Sequence, residues 1–265
     1  MTESLAGLGP ALTRLRAGVP LVHNITNYVV MNNTANALLA LGASPAMVHA
    51  PDEVEDFVRL SSALVVNIGT LSQPWVEAMK LAAEAAQAAE VPWVLDPVGV
   101  GATPFRTRVA AELLECRPAV VRGNASEILA LVGATTDGPK GVDATAAVED
   151  ATVAAQAWAR AAETVVVISG ATDVITDGTR TVKLGDGDPM MTRVTGMGCT
   201  ATALVGAFLA IEADPFRAAA YGMAVLGLAG RRAAGRAPGP GSLQGALLDA
   251  LYALDPADLL PSVVA

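Results

Sequence analysis

The stretch Val91-Pro-Trp-Val-Leu-Asp-Pro-Val-Gly-Val-Gly-Ala-Thr103 starts as an apolar run and turns, at one residue, into a loop of proline and glycine. Val91–Leu95 reads as a short buried strand. Its continuation, DPVGVGAT, reads as a loop shaped by Pro97, Gly99 and Gly101 around one exposed carboxylate, Asp96. The same layout recurs along the chain. Apolar, β-branched runs at Ala63–Asn67, Ala119–Arg122 and Thr164–Ser169 each end in polar or glycine residues.

Helix-period segments separate these runs, at Tyr28–Leu41, Pro74–Ala89, Pro104–Cys116, Asn124–Val132 and Ala144–Ala162. Strand and helix in alternation make a βαβ repeat, hence an α/β fold with a mostly parallel central sheet and helices on both faces. Thr172–Thr176 and Arg180–Leu184 flank Asp177-Gly178, which predicts a hairpin and so a small antiparallel addition. Only helices are expected after it, at Gly198–Ile211, Pro215–Arg236 and Leu243–Leu254, with Ala237–Gly241 as a link.

The 265 residues, 52% of them hydrophobic, fit one domain over 1–265 with a large core. The formal charge is −9, with 17 Lys+Arg against 26 Asp+Glu, so no basic stripe is available to neutralise a nucleic-acid backbone. No nucleic-acid partner is expected. The uncharged run Val194–Ile211 is broken by threonines and glycines and reads as a buried helix, so no membrane partner is expected either. The opening MTESLAGLGPALTRLRAG carries Glu3 and no compact apolar region, so it does not read as a signal peptide and a cytoplasmic protein is expected.

Cys116 and Cys199 are the only cysteines, and His23 and His49 the only histidines; their spacing fits neither zinc nor a disulfide framework. Cys116, His23 and His49 read as structural residues. Asn32, Asn33 and Asn36 share a helical stretch, one face of which is expected to serve a subunit contact.

In open α/β sheets, ligands bind beyond the carboxyl ends of the strands. Polar motifs gather there in this chain. Arg122-Gly-Asn-Ala-Ser-Glu127 supplies an arginine and a helix start, with Asn124 and Glu127 at capping-box spacing. No Walker-type loop occurs, and Pro104 stands where a Rossmann fingerprint needs its third glycine. Gly196-Met197-Gly198-Cys199, just before a helix, still offers backbone N–H groups to a phosphoryl group. Read alone, these residues leave open a kinase, a binding protein without turnover, and a cysteine hydrolase.

Five segments in order, HNITNYVVMNNTANALLALGASPAM (23–47), NIGTL (67–71), DPVGVGAT (96–103), RGNASEI (122–128) and VTGMGC (194–199), resemble the hydroxyethylthiazole kinase family. The resemblance implies a ribokinase-like three-layer sandwich. It also implies ATP-dependent phosphorylation, with Mg2+, of the hydroxyl of 4-methyl-5-(2-hydroxyethyl)thiazole in thiamin salvage. By the same resemblance Asn24, Met47 and Gly196 are substrate-binding, Arg122 and Ser169 contact ATP, and Asp96 and Glu127 serve the metal. Ser169 stands where the family often has threonine. Cys199 takes the seat of a catalytic base, within the anion-hole loop of Gly196, Met197 and Gly198. A homotrimer with thiazole sites between subunits is implied as well. The alternatives are a ribokinase-like kinase for another small alcohol, pyrimidine or pyridoxal in type, and a non-catalytic thiazole- or nucleotide-binding protein.

Overall fold

The structure, a computed structural model, describes residues 5–135 and 148–264. In chain order the first elements are α1 (Leu8–Gly18), β1 (Leu21–Ile25), α2 (Met31–Leu41), β2 (Ser44–Ala46), α3 (Val54–Leu60) and β3 (Ala63–Asn67). Then come α4 (Gln73–Ala88), β4 (Trp93–Asp96), α5 (Pro104–Leu114), β5 (Val120–Asn124), α6 (Ala125–Thr135), α7 (Val148–Ala162) and β6 (Val165–Ser169). The hairpin β7 (Asp173–Thr176) and β8 (Thr181–Leu184) follows, then a 3₁₀ turn at Pro189–Arg193. Last are α8 (Met197–Leu209), α9 (Pro215–Ala234), α10 (Pro240–Tyr252) and β9 (Val263–Val264).

The nine strands of the described residues form one sheet, in the order β2-β1-β3-β4-β5-β6-β7-β8-β9. Pairing is parallel from β2 through β6 and antiparallel beyond it. This is the expected ribokinase-like architecture. The hairpin forms where Asp177-Gly178 placed it, with Gly178 at φ +85°. Three strands escaped the sequence reading: β1, whose His23 and Asn24 interrupt its apolar pattern, and the very short β2 and β9. The expectation of helices alone after residue 184 is corrected by β9, which closes the sheet against β8. Of the predicted helix Ala144–Ala162, residues 144–147 lie outside the described residues.

Strand side chains alternate between two cores, as period-2 geometry requires. Val22, Val65, Val94, Val120 and Val167 face the layer of α1, α2, α8, α9 and α10. Ile25, Leu64, Leu95, Val121 and Val166 face the layer of α3 to α7. Burying both faces explains why the parallel strands read as unbroken apolar runs. Cys116 belongs to the second core, and its carbonyl accepts from Trp93 Nε1 at 3.1 Å. Buried His23 donates through Nε2 to the Val48 carbonyl at 2.8 Å, and burial holds its pKa below the usual histidine value. Asn33 faces inward, donating to Thr200 Oγ1 at 3.3 Å and accepting from Gln244 Nε2 at 3.0 Å. Among the described residues no helix is long and apolar enough to cross a membrane.

Candidate active site

Val65, Val94, Val120 and Val167 point at the α8 layer. Two residues further along each strand, on the same face, stand Asn67, Asp96, Arg122 and Ser169. The pleat therefore sets four polar side chains on one face, at the carboxyl ends of β3, β4 and β6 and midway along β5. Opposite them begins α8. Its N-cap is Gly196 at φ +83°, in the left-handed region glycine tolerates, and a Cβ there would lie 2.5 Å from Val30 Cγ1. The first turn leaves the N–H groups of Met197, Gly198 and Cys199 without an intrahelical acceptor. They concentrate the positive end of the helix dipole toward the row.

Asp96 is corrected from exposed to buried: its side chain has no accessible surface. Asn67 Nδ2 and Thr202 Oγ1 each donate to Asp96 Oδ2 at 2.8 Å, and Arg122 Nη1 lies 3.8 Å from the same oxygen. Oδ1 has no partner. Burial pushes the carboxyl up to about 6, against the opposing effects of Arg122, Thr202 and Asn67, with Glu127 adding to the rise. Arg122 also donates to Ser169 Oγ, so the guanidinium bridges the two strand ends on either side of its own.

Glu127 completes the capping box. Its Oε2 accepts from Asn124 N–H at 2.8 Å, and Asn124 Oδ1 accepts from Glu127 N–H at 2.9 Å. Its other oxygen accepts from Gly99 N–H at 2.8 Å, which ties the DPVGVGAT loop to the start of α6. Arg106 fastens the neighbouring loops, donating to the carbonyls of Ile68, Val98 and Gly69 at 2.7, 2.9 and 2.8 Å.

Cys199 Sγ lies 3.4 Å from Asn27 Nδ2, which also donates to Asn67 Oδ1 at 2.9 Å. Burial, then the neighbouring Asp96 carboxylate, pushes the thiol up to about 11 despite these donors and Arg122. Two cavities meet around this helix start. The smaller, about 370 Å³, is lined by Asn27, Val30, Asp96, Glu127, Gly196 and Cys199. The larger, about 600 Å³, is lined by Ser169, Asp173, Asp186, Met191, Met197 and Met223. Arg122 and Gly198 line both. A Cβ on Gly198 would sit 2.4 Å from Arg122 Nη1, so only glycine lets the guanidinium approach the helix.

Of the residues expected at the site, the fold brings together Asp96, Arg122, Glu127, Ser169 and Gly196 through Cys199. Asn24 and Met47 line neither cavity. Asn24 pairs with Val65 in register, one pleat repeat below Asn67, and is fully buried, with Nδ2 donating to Val22 O at 2.9 Å. Met47 follows the edge strand β2 and is half-buried. Sequence reading missed Asn27, Asn67 and Thr202. Asn67 carried a signal, a polar residue closing an apolar strand beside another strand that closes on Asp96.

The hydroxyethylthiazole kinase family matches residues 12–257. A hydroxyethylthiazole kinase of Granulibacter bethesdensis is 58% identical over 248 residues, covering 94% of this chain and 90% of that protein. One from Nitratidesulfovibrio vulgaris is 55% identical over 242 residues, covering 91% and 90%. The structure of a hydroxyethylthiazole kinase protein from Pyrococcus horikoshii superposes with a TM-score of 0.90 at 43% identity, covering 97% of this chain and 98% of that one. The pyridoxal kinase of Staphylococcus aureus with AMP-PCP and pyridoxal shares the fold, at a TM-score of 0.62 and 19% identity over 81% of this chain and 88% of that one. With five ordered motifs, a shared architecture and relatives above half identity, this chain belongs to the hydroxyethylthiazole kinase family.

Proposed function

We propose that the protein transfers the γ-phosphoryl group of ATP to the hydroxyl of 4-methyl-5-(2-hydroxyethyl)thiazole, giving the monophosphate and ADP. The observation that carries this reading is the shared wall: Arg122 and Gly198 line both cavities, so a group held between them borders two ligands at once. The larger cavity takes the nucleotide, with Ser169 and Arg122 on its phosphates. The smaller takes the alcohol, beside Gly196 and Cys199. The alcohol oxygen bonds to the γ-phosphorus as the bond to the bridging oxygen breaks, the electron pair leaves with ADP, and the hydroxyl proton passes late in the transfer to a phosphate oxygen and from there to water.

Phosphoryl transfer of this kind needs positioning and charge stabilisation more than covalent help. The Arg122 guanidinium and the N–H groups opening α8 supply both. Cys199, protonated at neutral pH with its thiol near 11, holds the alcohol without removing its proton early. A bound Mg2+ would supply charge neutralisation to the phosphates, and this chain's carboxylates would hold it. Among the described residues no set of three or more His, Cys, Asp or Glu side chains converges on one point. A magnesium ion would need only one or two carboxylates from the protein. Asp96 would hold it through the unpartnered, buried Oδ1, with Glu127 beside it.

The same reading treats the chain as one kinase domain of the cytoplasm acting as a homotrimer. Tyr28 and Val29, beside the smaller cavity, are 65% and 62% exposed. A neighbouring subunit would cover them and bring Met47 of one copy toward the thiazole of another. Incubation of purified protein with the thiazole alcohol and MgATP, followed by mass spectrometry, should show the monophosphate with matching ADP. Turnover of pyridoxal with none of the thiazole would sink the assignment. A monomeric mass by light scattering at a fully active concentration would remove the trimer.

A further inference from the structure

Part of the wall of the larger cavity is the turn Gly185-Asp186-Gly187-Asp188, between β8 and the 3₁₀ turn. Nothing in the reaction described above uses it, yet the end of the chain is built onto it. Strand β9 pairs with β8, Val263 opposite Leu184 and Val264 opposite Lys183. Gly185 N–H donates to Ser262 O at 2.9 Å, which extends the ladder into the turn.

Ser262 then takes hold of Asp186 from two directions. Its N–H donates to Asp186 Oδ2 at 2.5 Å, and its hydroxyl donates to Oδ1 at 3.0 Å. Arg231 of α9 donates to the same carboxylate and lies 3.0 Å from Ser262 Oγ. The Asp186 side chain is 1% exposed. Two glycines make room for this. A Cβ on Gly227 would fall 2.7 Å from Asp186 Cβ, and one on Gly185 would fall 2.7 Å from Val264 Cγ2.

A carboxylate in the wall of a cavity that receives a polyanion repels it unless the charge is engaged elsewhere. Here three donors engage it, two of them from Ser262. We propose that Ser262 is a positioning residue for the nucleotide: it holds the Asp186 carboxylate on the tail side and fixes the Gly185–Asp188 backbone as the cavity wall. Ser262 touches no substrate and acts through Asp186. The inference rests on the larger cavity being the nucleotide side.

The test compares Ser262→Pro, Ser262→Ala and Asp186→Asn in the full chain, by ADP calorimetry and by separate KM values for ATP and the thiazole alcohol. Proline removes the N–H, alanine only the hydroxyl. Ser262→Pro should weaken ADP and raise the ATP KM by about tenfold, and Ser262→Ala by about threefold, the smaller effect because alanine leaves the N–H on Asp186 Oδ2 in place. kcat and the thiazole KM should stay within about twofold, because the smaller cavity is not touched. In the Asp186→Asn background the Ser262→Ala effect should shrink, since no buried charge remains to compensate. Unchanged ADP affinity in both Ser262 variants, or equal changes in the two KM values, would overturn the inference. Ser169→Val separates the two readings. If it weakens ADP while the Ser262 variants do not, the tail inference alone fails. If it raises only the thiazole KM, the assignment of the larger cavity fails with it.

Discussion

Asn67 and Asp96 are cross-strand partners at the ends of β3 and β4, joined side chain to side chain at 2.8 Å, and neither reaches solvent. The carboxylate keeps only two hydrogen-bond donors and an arginine at 3.8 Å in place of water. That is less than ionisation needs, so its pKa stands near 6, above the ordinary aspartate value. Between about pH 4 and pH 6 the folded protein therefore binds a proton that the unfolded chain has released, and stability falls as pH rises through that window.

Asp96→Asn should accordingly be more stable than the parent at pH 7 by roughly 1–3 kcal/mol, with the gain gone near pH 4. Turnover should fall about a hundredfold or more, as loss of electrostatic stabilisation does. Urea unfolding at the two pH values, in chelator, checks the first part, and steady-state kinetics the second. A stability difference independent of pH would show that the carboxyl does not titrate as described.

Asn67→Ala removes one of the two donors to Asp96 and also the acceptor that holds Asn27 beside Cys199. kcat should drop about tenfold with both KM values little changed, the pattern of a group that matters in the transition state. Asn67→Asp should fall further, because it sets a second carboxylate against Asp96 in a buried site. An aspartate variant more active than the alanine variant would count against this account.

Gly198→Val should be nearly inactive. Its Cβ would displace the Arg122 guanidinium, 2.4 Å away, from both Asp96 and Ser169. A loss of about a hundredfold or more in kcat/KM is expected. ADP binding should weaken in parallel, measured by calorimetry on variants that keep the parent's circular dichroism. Tight ADP binding by the valine variant would locate the fault elsewhere.

Cys199 tests what the thiol does. With its pKa near 11 it is protonated at neutral pH, so it is a poor base. Cys199→Ser should keep activity within about tenfold, and Cys199→Asp should remain active because a carboxylate is the better base. A serine variant as inactive as Gly198→Val, or a covalent cysteine adduct seen by mass, would assign the chemistry to the sulfur.

What was legible in the sequence was local. Runs such as Thr164–Ser169 and Val91–Leu95, buried on both faces, announce parallel strands whatever packs on them. Asn124 and Glu127 announce a helix start because a capping box is closed within four residues. The polar motifs that follow two such runs, at Asp96 and at Arg122, pointed to a site at one end of the sheet. Tertiary structure alone decided the rest. Strands β2 and β9 have three and two residues, too few for a period to show, and exist because β1 and β8 offer them edges. Asp96 sits in a loop motif that reads as exposed, but Thr202, 106 residues away, and Asn67, 29 away, take the place of water around it. Ser262 meets Asp186 across 76 residues. Periodicity and capping are written in neighbouring residues, whereas burial and the pairing of charges are properties of what folding brings together.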